Sequence, residues 1–183
     1  MSGAVSPAGP PAAVTADAAP LPGRAAAAPL TPATAAPSAP VRVRAPAAGL
    51  DAPVVAVGVT GDGQMEVPER VADVGWYRFG PAPGATNGSA VLAGHVDDRL
   101  QGDGAFADLA GLAPGDEVLV ARPEGTVAYV VRETRTFRKD TLPVADLFRE
   151  DGPPRLALVT CDGPFDTDAG RYRDNLVVLA EPR

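Results

Sequence analysis

An alternation of apolar and polar residues begins near residue 41 and recurs to the C-terminus. Val41-Arg-Val-Arg44 alternates as a half-buried strand does, and Val54–Val59 is a run rich in β-branched residues. Two longer β-rich runs, residues 117–121 and 126–137, flank Pro123-Glu-Gly125, and this pattern is typical of a hairpin. About eight short strands with closely spaced turn signals predict a mostly β fold, a closed or nearly closed barrel.

The segments between these strands contain little helical pattern. Phe106, Leu109 and Leu112 recur at a spacing of three, which predicts one or two helical turns, and a short helix is predicted around residues 144–148. Residues 64–67 predict a further short strand. Residues 162–173 are polar and predict a loop.

The composition changes sharply along the chain of 183 residues. Residues 1–50 contain 18 alanines and 10 prolines and no aromatic residue. Residues 1–40 therefore cannot bury enough apolar surface to offset the entropy of ordering them. We expect a disordered Pro/Ala-rich linker over 1–40 and one folded domain over 41–183.

Charge and cysteine content exclude several classes of function. The net charge is −7 without a basic cluster, which disfavours nucleic acid and anionic lipid as partners. A single cysteine excludes an internal disulfide and a cysteine-rich zinc site. The acidic residues lack the spacing of a calcium loop, and no glycine-rich phosphate loop opens a helix. We therefore expect neither a metal nor a cofactor.

The only histidine and the only cysteine each end an apolar segment. Residues 90–95 end at His95, residues 155–161 end at Cys161, and polar residues follow both. A thiolate and an imidazole can act as nucleophile and acid/base in acyl transfer, with Arg173 or Arg171 as a donor to the oxyanion. Each residue also has a structural interpretation: a buried thiol, a hydrogen-bonded imidazole or a solvated guanidinium.

Three motifs make the chain resemble a sortase, and more narrowly the actinobacterial class E/F sortases. They are Leu92-Ala-Gly-His-Val-Asp97, Leu158-Val-Thr-Cys-Asp-Gly-Pro-Phe-Asp166 and Tyr172-Arg-Asp-Asn-Leu-Val-Val178. The likeness covers about residues 41–180. Ala157 departs from the threonine that many sortases carry at this position of the signature.

This resemblance implies an eight-stranded sortase barrel with Cys161 as nucleophile and His95 as general acid/base. It implies that Arg173, rather than Arg171, steadies substrate and oxyanion. Thr160 would lie near the oxyanion through its backbone or its hydroxyl. The long connection, residues 138–154, would line the substrate groove, and its candidate residues are Leu142, Pro143, Val144 and Leu147.

The family cleaves a C-terminal Leu-Pro-X-Thr-Gly-like sorting signal between Thr and Gly and transfers the thioester-linked protein to an amine. The expected partners are surface proteins bearing that signal and an amine of a peptidoglycan precursor or a pilin lysine, with the enzyme a monomer. The expected location is the cell surface, although this chain has only the Pro/Ala tail where relatives usually carry a membrane anchor.

The alternative function is a non-catalytic or autoinhibited barrel that binds peptide or cell wall. Other cysteine acyl-transfer classes fit less well. Papain-like enzymes place the histidine after the cysteine, and the Ser-His-Gly-Cys type motif of L,D-transpeptidases is absent.

Overall fold

Ten β-strands and a few short helical turns make up the described part of the chain, residues 37–168 and 170–183 of a computed structural model. The predicted linker, residues 1–40, lies almost entirely outside the described residues. The strands are β1 (Arg42–Ala45), β2 (Leu50–Val57), β3 (Val74–Tyr77), β4 (Ser89–Ala93), β5 (Asp97–Asp98), β6 (Gly102–Asp103), β7 (Glu117–Arg122), β8 (Gly125–Arg138), β9 (Arg155–Asp166) and β10 (Arg171–Pro182). The helical segments are α1 (Val144–Leu147) and the 3-10 turns Pro46–Ala48, Leu109–Gly111 and Lys139–Thr141.

Eight of these strands close into a barrel in the order β1-β2-β3-β4-β9-β10-β8-β7, while β5 and β6 form a separate two-stranded sheet. Two neighbouring pairs, β2 with β3 and β4 with β9, are parallel, and the other barrel pairs are antiparallel. The predicted mostly β, eight-stranded barrel is therefore confirmed.

Successive side chains of the central strands enter two different apolar clusters, because neighbouring residues of a strand point to opposite faces. Leu92 and Leu158 lie directly opposite each other and belong to the main core. Val91 and Ala157 belong to a second cluster, which also contains Leu147 of α1 and Val177. Strands β4, β9 and β10 are thus covered on both faces, and this holds the ends of the strands in place.

The hairpin predicted around residues 123–125 is confirmed by the pairing of β7 with β8. The polar loop predicted over residues 162–173 is wrong in part, because β9 continues to Asp166 and β10 begins at Arg171. The rings of Phe165 and Tyr172 pack across these strand extensions, with centroids 5.2 Å apart. Gly163, Pro164 and a register shift between residues 172 and 174 interrupt the alternation that would have indicated strands.

The predicted strand at residues 64–67 is also wrong. Only an isolated bridge joins Val59 and Met65 there. Pro68 follows directly and has no N–H group to extend the pairing. The two predicted helical regions contain one short turn each, Leu109–Gly111 and α1. Among the described helices, none has the length and apolar character required to cross a bilayer.

Candidate active site

The parallel pairing of β4 with β9 brings His95 and Cys161 to the same edge of the barrel. The register runs from Ser89 opposite Arg155 to Ala93 opposite Val159. The N–H of Gly94 then donates to the carbonyl of Val159 over 3.2 Å. Two more residues in the same register bring His95 level with Cys161. His95 thus follows the end of β4 and lies level with Cys161, which is inside β9 because that strand continues to Asp166.

Both side chains belong to the face of the sheet that carries the second apolar cluster. Cys161 and Ala157 lie four residues apart on β9 and so share a face. His95 and Val91 have the same spacing along β4 and its continuation. His95 and Cys161 are both partly exposed. The candidate site therefore lies outside the barrel core, on the face that residues 142–148 cover.

Backbone hydrogen bonds from residues 104–106 hold the main chain at His95 and the residue that follows it. The N–H of Phe106 donates to its carbonyl over 3.0 Å, and the N–H of Gly104 donates to Val96 over 2.9 Å. A side chain at Gly104 would collide with the His95 carbonyl. Glycine at 104 is therefore what allows the two segments to approach so closely.

The imidazole of His95 forms a hydrogen bond with a backbone carbonyl. Nε2 lies 2.8 Å from the carbonyl oxygen of Pro68. A carbonyl can only accept a hydrogen bond, so Nε2 carries the proton in this contact. Nδ1 is then the ring nitrogen without the proton.

Gln101 holds the Pro68 segment against the loop that follows His95. Its side-chain amide donates to the carbonyl of Glu69 over 2.9 Å and accepts from the N–H of Val71 over 3.3 Å. The backbone N–H groups of Leu100 and Gln101 both donate to Asp98. These hydrogen bonds lower the pKa of Asp98, and positive charge on His95 and Arg99 adds to the effect.

The thiol of Cys161 faces the end of β8. Nζ of Lys139 lies 3.8 Å from Sγ. The next residue on β9, Asp162, accepts a hydrogen bond of 2.6 Å from the hydroxyl of Thr136. The end of β8 thus contributes one cation beside the sulfur and one hydroxyl beside the following carboxylate.

Arg173 lies on β10 with a largely exposed side chain, and its Nε is 3.6 Å from the carboxylate of Asp166. Arg171 is exposed at the start of the same strand. Neither guanidinium has a hydrogen bond to Cys161 or His95 among the residues that the structure describes.

Tyr172 links the start of β10 to the loop after His95. Its hydroxyl donates to the carboxylate of Asp97 over 2.7 Å. This hydrogen bond is the main cause that raises the pKa of Tyr172, followed by burial and the negative charges of Asp97 and Cys161.

Thr160 is buried, and its hydroxyl donates over 2.8 Å to the carbonyl of Gly94. A hydroxyl has only one proton to donate. In this arrangement the hydroxyl proton is used by the Gly94 carbonyl, and the expected place of Thr160 near an oxyanion stays a prediction. The backbone of Thr160 remains the predicted contributor.

The four predicted groove residues differ in exposure. Leu147 is 1% exposed and packs in the second cluster, and half-buried Leu142 packs against that cluster. Pro143 is half-buried and Val144 is 54% exposed. Leu147 thus anchors the connection, whereas Val144 exposes its apolar side chain on the same connection.

A cavity of about 630 Å³ opens between the end of β8 and the β9–β10 hairpin. Its lining includes Lys139, which contacts Cys161, together with Tyr172 and Arg173 of β10. The predicted groove residues are not among the described residues that line it. Within 37–168 and 170–183, no group of three histidine, cysteine or acidic side chains is placed to hold a metal ion.

Sequence reasoning missed Lys139 and the Pro68 carbonyl. Lys139 is the only lysine of the chain, and it follows the long strand that pairs beside β10. The presence of only one lysine in the chain was the signal that could have indicated this residue. Nothing in the sequence indicates that a backbone carbonyl 27 residues before His95 contacts its ring.

Comparison with known proteins identifies the fold and the family. A family model described as the Sortase domain matches residues 43–183. No curated protein matches the sequence.

Among solved structures, a lid mutant of Streptococcus agalactiae sortase C1 is 22% identical, with a TM-score of 0.59 over 78% of this chain and 66% of that chain. Sortase C from Clostridium perfringens SM101 is 20% identical, with a TM-score of 0.57 over 78% and 68%. Sortase C-1 from Actinomyces oris is 20% identical, with a TM-score of 0.61 over 78% and 72%. The chain thus spans about two thirds of the length of these proteins, and at these identities they share its fold.

Proposed function

The chain belongs to the sortase family, and on that premise we propose that it is a cysteine transpeptidase. It cleaves a C-terminal Leu-Pro-X-Thr-Gly-like signal between Thr and Gly through a thioester on Cys161. It then transfers the protein to an amine acceptor. The observation that supports this proposal is the parallel β4–β9 pairing, whose register, continued by two residues, brings His95 level with Cys161.

The hydrogen bond between His95 Nε2 and the Pro68 carbonyl supports Nδ1 as the nitrogen that exchanges the proton. Nδ1 takes the proton of the Cys161 thiol, and Sγ attacks the threonine carbonyl. The C–N bond of the Thr-Gly peptide then breaks, and Nδ1 returns the proton to the departing glycine amine. The second half reverses these steps: an acceptor amine gives a proton to Nδ1 and attacks the thioester.

Arg173 is our candidate for steadying the tetrahedral oxyanion. A guanidinium supplies permanent charge and several donors. Its pairing with Asp166 is long, at 3.6 Å, and its side chain is 65% exposed, so the cost of turning towards substrate is small. Thr160 supports the site by holding β9 to β4, and its backbone is the part left to face the oxyanion.

The connection between β8 and β9 is our candidate groove for the signal. Leu142, Pro143 and Val144 supply an apolar wall next to the second cluster, and buried Leu147 anchors it. This wall suits the Leu-Pro pair of the signal.

The motifs around His95, Cys161 and Arg173 support placement with the actinobacterial class E/F sortases. The proposed partners are surface proteins that carry the signal and an amine of a peptidoglycan precursor or a pilin lysine. The proposed enzyme is monomeric and acts at the cell surface.

Intact-protein mass spectrometry tests the proposal directly. The purified chain is incubated with Leu-Pro-X-Thr-Gly or Leu-Ala-X-Thr-Gly peptide in the absence of an amine acceptor. The expected result is a mass gain equal to the peptide up to threonine, absent from Cys161→Ala. The preferred peptide identifies the signal.

Failure of both peptides to form an adduct on a correctly folded chain would overturn the proposed activity. Slow alkylation of Cys161 in the same sample would then favour the alternative, an inert or occluded barrel. Repeating the experiment with a chain lacking residues 1–40 separates these two states, because only an occluded thiol gains reactivity.

A further inference from the structure

The single lysine of this chain lies against its single cysteine. Lys139 begins the 3-10 turn that follows β8, and its Nζ is 3.8 Å from Sγ of Cys161. All other basic side chains of the protein are arginines or His95. A compact ammonium on a flexible stem can approach a sulfur atom closely, and it is a point charge rather than a planar fork.

The acidic residues that would compete for Lys139 are engaged elsewhere. Asp140 accepts two hydrogen bonds from Arg138, both of 3.2 Å. Asp162 accepts from Thr136, and Asp166 lies beside Arg173. Within residues 37–168 and 170–183, no carboxylate oxygen lies within 4.0 Å of Nζ. The polar partner that the structure gives this ammonium is the sulfur.

The resting site must separate charge before it can react. A proton has to leave Sγ for Nδ1 of His95, which creates a thiolate and an imidazolium. A second positive charge close to Sγ favours the thiolate, because opposite charges at this distance attract each other. Lys139 meets this requirement in the free protein, in which Arg173 is paired with Asp166.

We propose that Lys139 is a catalytic residue whose ammonium stabilises the Cys161 thiolate before substrate arrives. The proposal rests on the proposed acyl-transfer function for its biological purpose. It assigns the two cations of the site to different stages. Lys139 acts on the sulfur in the resting enzyme, and Arg173 acts on the oxyanion once the peptide is bound.

The charge network around the sulfur contains several other groups. His95 lies at the end of β4, Asp97 follows it and bonds to Tyr172, and Asp162 and Arg173 belong to β9 and β10. The experiment therefore compares variants at one fixed pH, so that the protonation of these groups is the same in every measurement.

The test measures how fast iodoacetamide alkylates Cys161 at about pH 7, where an unperturbed thiol is mostly protonated. Because the chain has one cysteine, the adduct reports a single site. We compare Lys139→Met with Lys139→Arg, which retains the charge, and with Arg132→Met, which removes an exposed cation paired with Glu181. The expected result is a roughly tenfold slower reaction for Lys139→Met, substantial recovery in Lys139→Arg and no change in Arg132→Met.

A salt titration of the unaltered protein gives a second readout that needs no substitution. Raising the ionic strength from about 0.1 M to about 1 M shortens the Debye length from about 10 Å to about 3 Å. The alkylation rate of the native chain is expected to fall, while that of folded Lys139→Met stays constant. Equal rates for the native chain and a folded Lys139→Met variant, with equal salt dependence, would overturn the proposal.

The two proposals fail in different ways. If alkylation is fast and depends on Lys139 but neither peptide forms a thioester, the role of Lys139 is supported and the transpeptidase activity is contradicted. If the thioester forms equally fast in Lys139→Met and in the native chain, the role of Lys139 is contradicted and the transpeptidase activity is supported.

Discussion

The hydroxyl of Thr160 donates a hydrogen bond of 2.8 Å to the carbonyl of Gly94, and so joins the residue before Cys161 to the residue before His95. Thr160 is 4% exposed, which keeps water away from this contact. The relative placement of the nucleophile and the acid/base therefore depends on the barrel itself as well as on the loops that follow.

Thr160→Val should loosen the attachment of β9 to Gly94, the residue before His95, without leaving a cavity in the core. Valine has nearly the same shape but leaves the Gly94 carbonyl buried and unsatisfied, which costs about 1–3 kcal/mol. We expect that loss in urea unfolding, with a roughly tenfold slower formation of the Cys161 thioester.

Thr134→Val is the matched control, because the Thr134 hydroxyl donates to the Leu112 carbonyl over 2.9 Å on another part of the barrel. It should cost comparable stability with no selective loss of activity. Equal activity losses in both variants would mean that the Thr160 contact is purely structural.

Gly104→Ala should disturb His95 through its main chain. A methyl group at this position meets the His95 carbonyl, so the two segments must move apart. Such overpacking costs about 1–3 kcal/mol, and displacement of the imidazole should slow thioester formation further.

Gly111→Ala provides the comparison, since nothing lies within 4 Å of a side chain added there. We expect it to unfold at the same urea concentration as the native chain, or slightly higher, with native activity. A Gly104→Ala protein with native stability and activity would show that this close approach is not required.

Gln101→Ala should affect the ring of His95 through the Pro68 carbonyl. Removal of the amide breaks its hydrogen bonds to Glu69 and Val71, each of which contributes about 0.5–1.5 kcal/mol. The Pro68 carbonyl should then be held less firmly against Nε2 of His95. We expect kcat to fall several-fold, with KM nearly unchanged.

Gln64→Ala removes an exposed glutamine side chain elsewhere and should leave both constants unchanged. A rise in KM as the main effect of Gln101→Ala would place Gln101 in substrate binding instead. Kinetics with a fluorogenic sorting-signal peptide distinguish the two results.

The sequence was sufficient for the barrel and for the place of His95 just after β4, but the expectation that Cys161 ends its strand was wrong, because β9 continues to Asp166. It was insufficient for the strand extensions around Gly163, where a bulge disrupts alternation. It was also insufficient for Lys139 and Pro68. Their contacts depend on which loop folds over which strand. The local pattern of apolar and polar residues does not predict such long-range packing.

Val144→Asp should weaken peptide binding with little effect on stability. Val144 is 54% exposed next to the candidate groove, so a carboxylate there stays solvated but opposes an apolar Leu-Pro pair. We expect at least a several-fold rise in KM for the peptide and an unfolding midpoint close to that of the native chain.

Leu142→Asp should instead cost stability as well, because Leu142 packs against the second cluster. Val41→Asp is the control for exposure, since Val41 is 51% exposed beside β1, across the barrel from β9. A KM for Val144→Asp equal to that of Val41→Asp would exclude Val144 from the groove.

Tyr172→Phe should make the protein less sensitive to alkaline pH. The hydrogen bond to Asp97, burial and nearby negative charge raise the pKa of Tyr172 above its ordinary value of 10.0. A group whose pKa is raised on folding contributes its full stability below the unfolded pKa, and loses it as the pH rises through the folded value. The native chain should therefore lose stability above about pH 10.

Burial also raises the pKa of Tyr129, so two tyrosines contribute to this alkaline loss. Urea midpoints at about pH 8 and about pH 11 should differ less in Tyr172→Phe than in the native chain, and a Tyr129→Phe variant should remove another part of the difference. An unchanged alkaline loss in Tyr172→Phe would contradict the hydrogen bond to Asp97, since the phenol would then titrate alike in the folded and unfolded states.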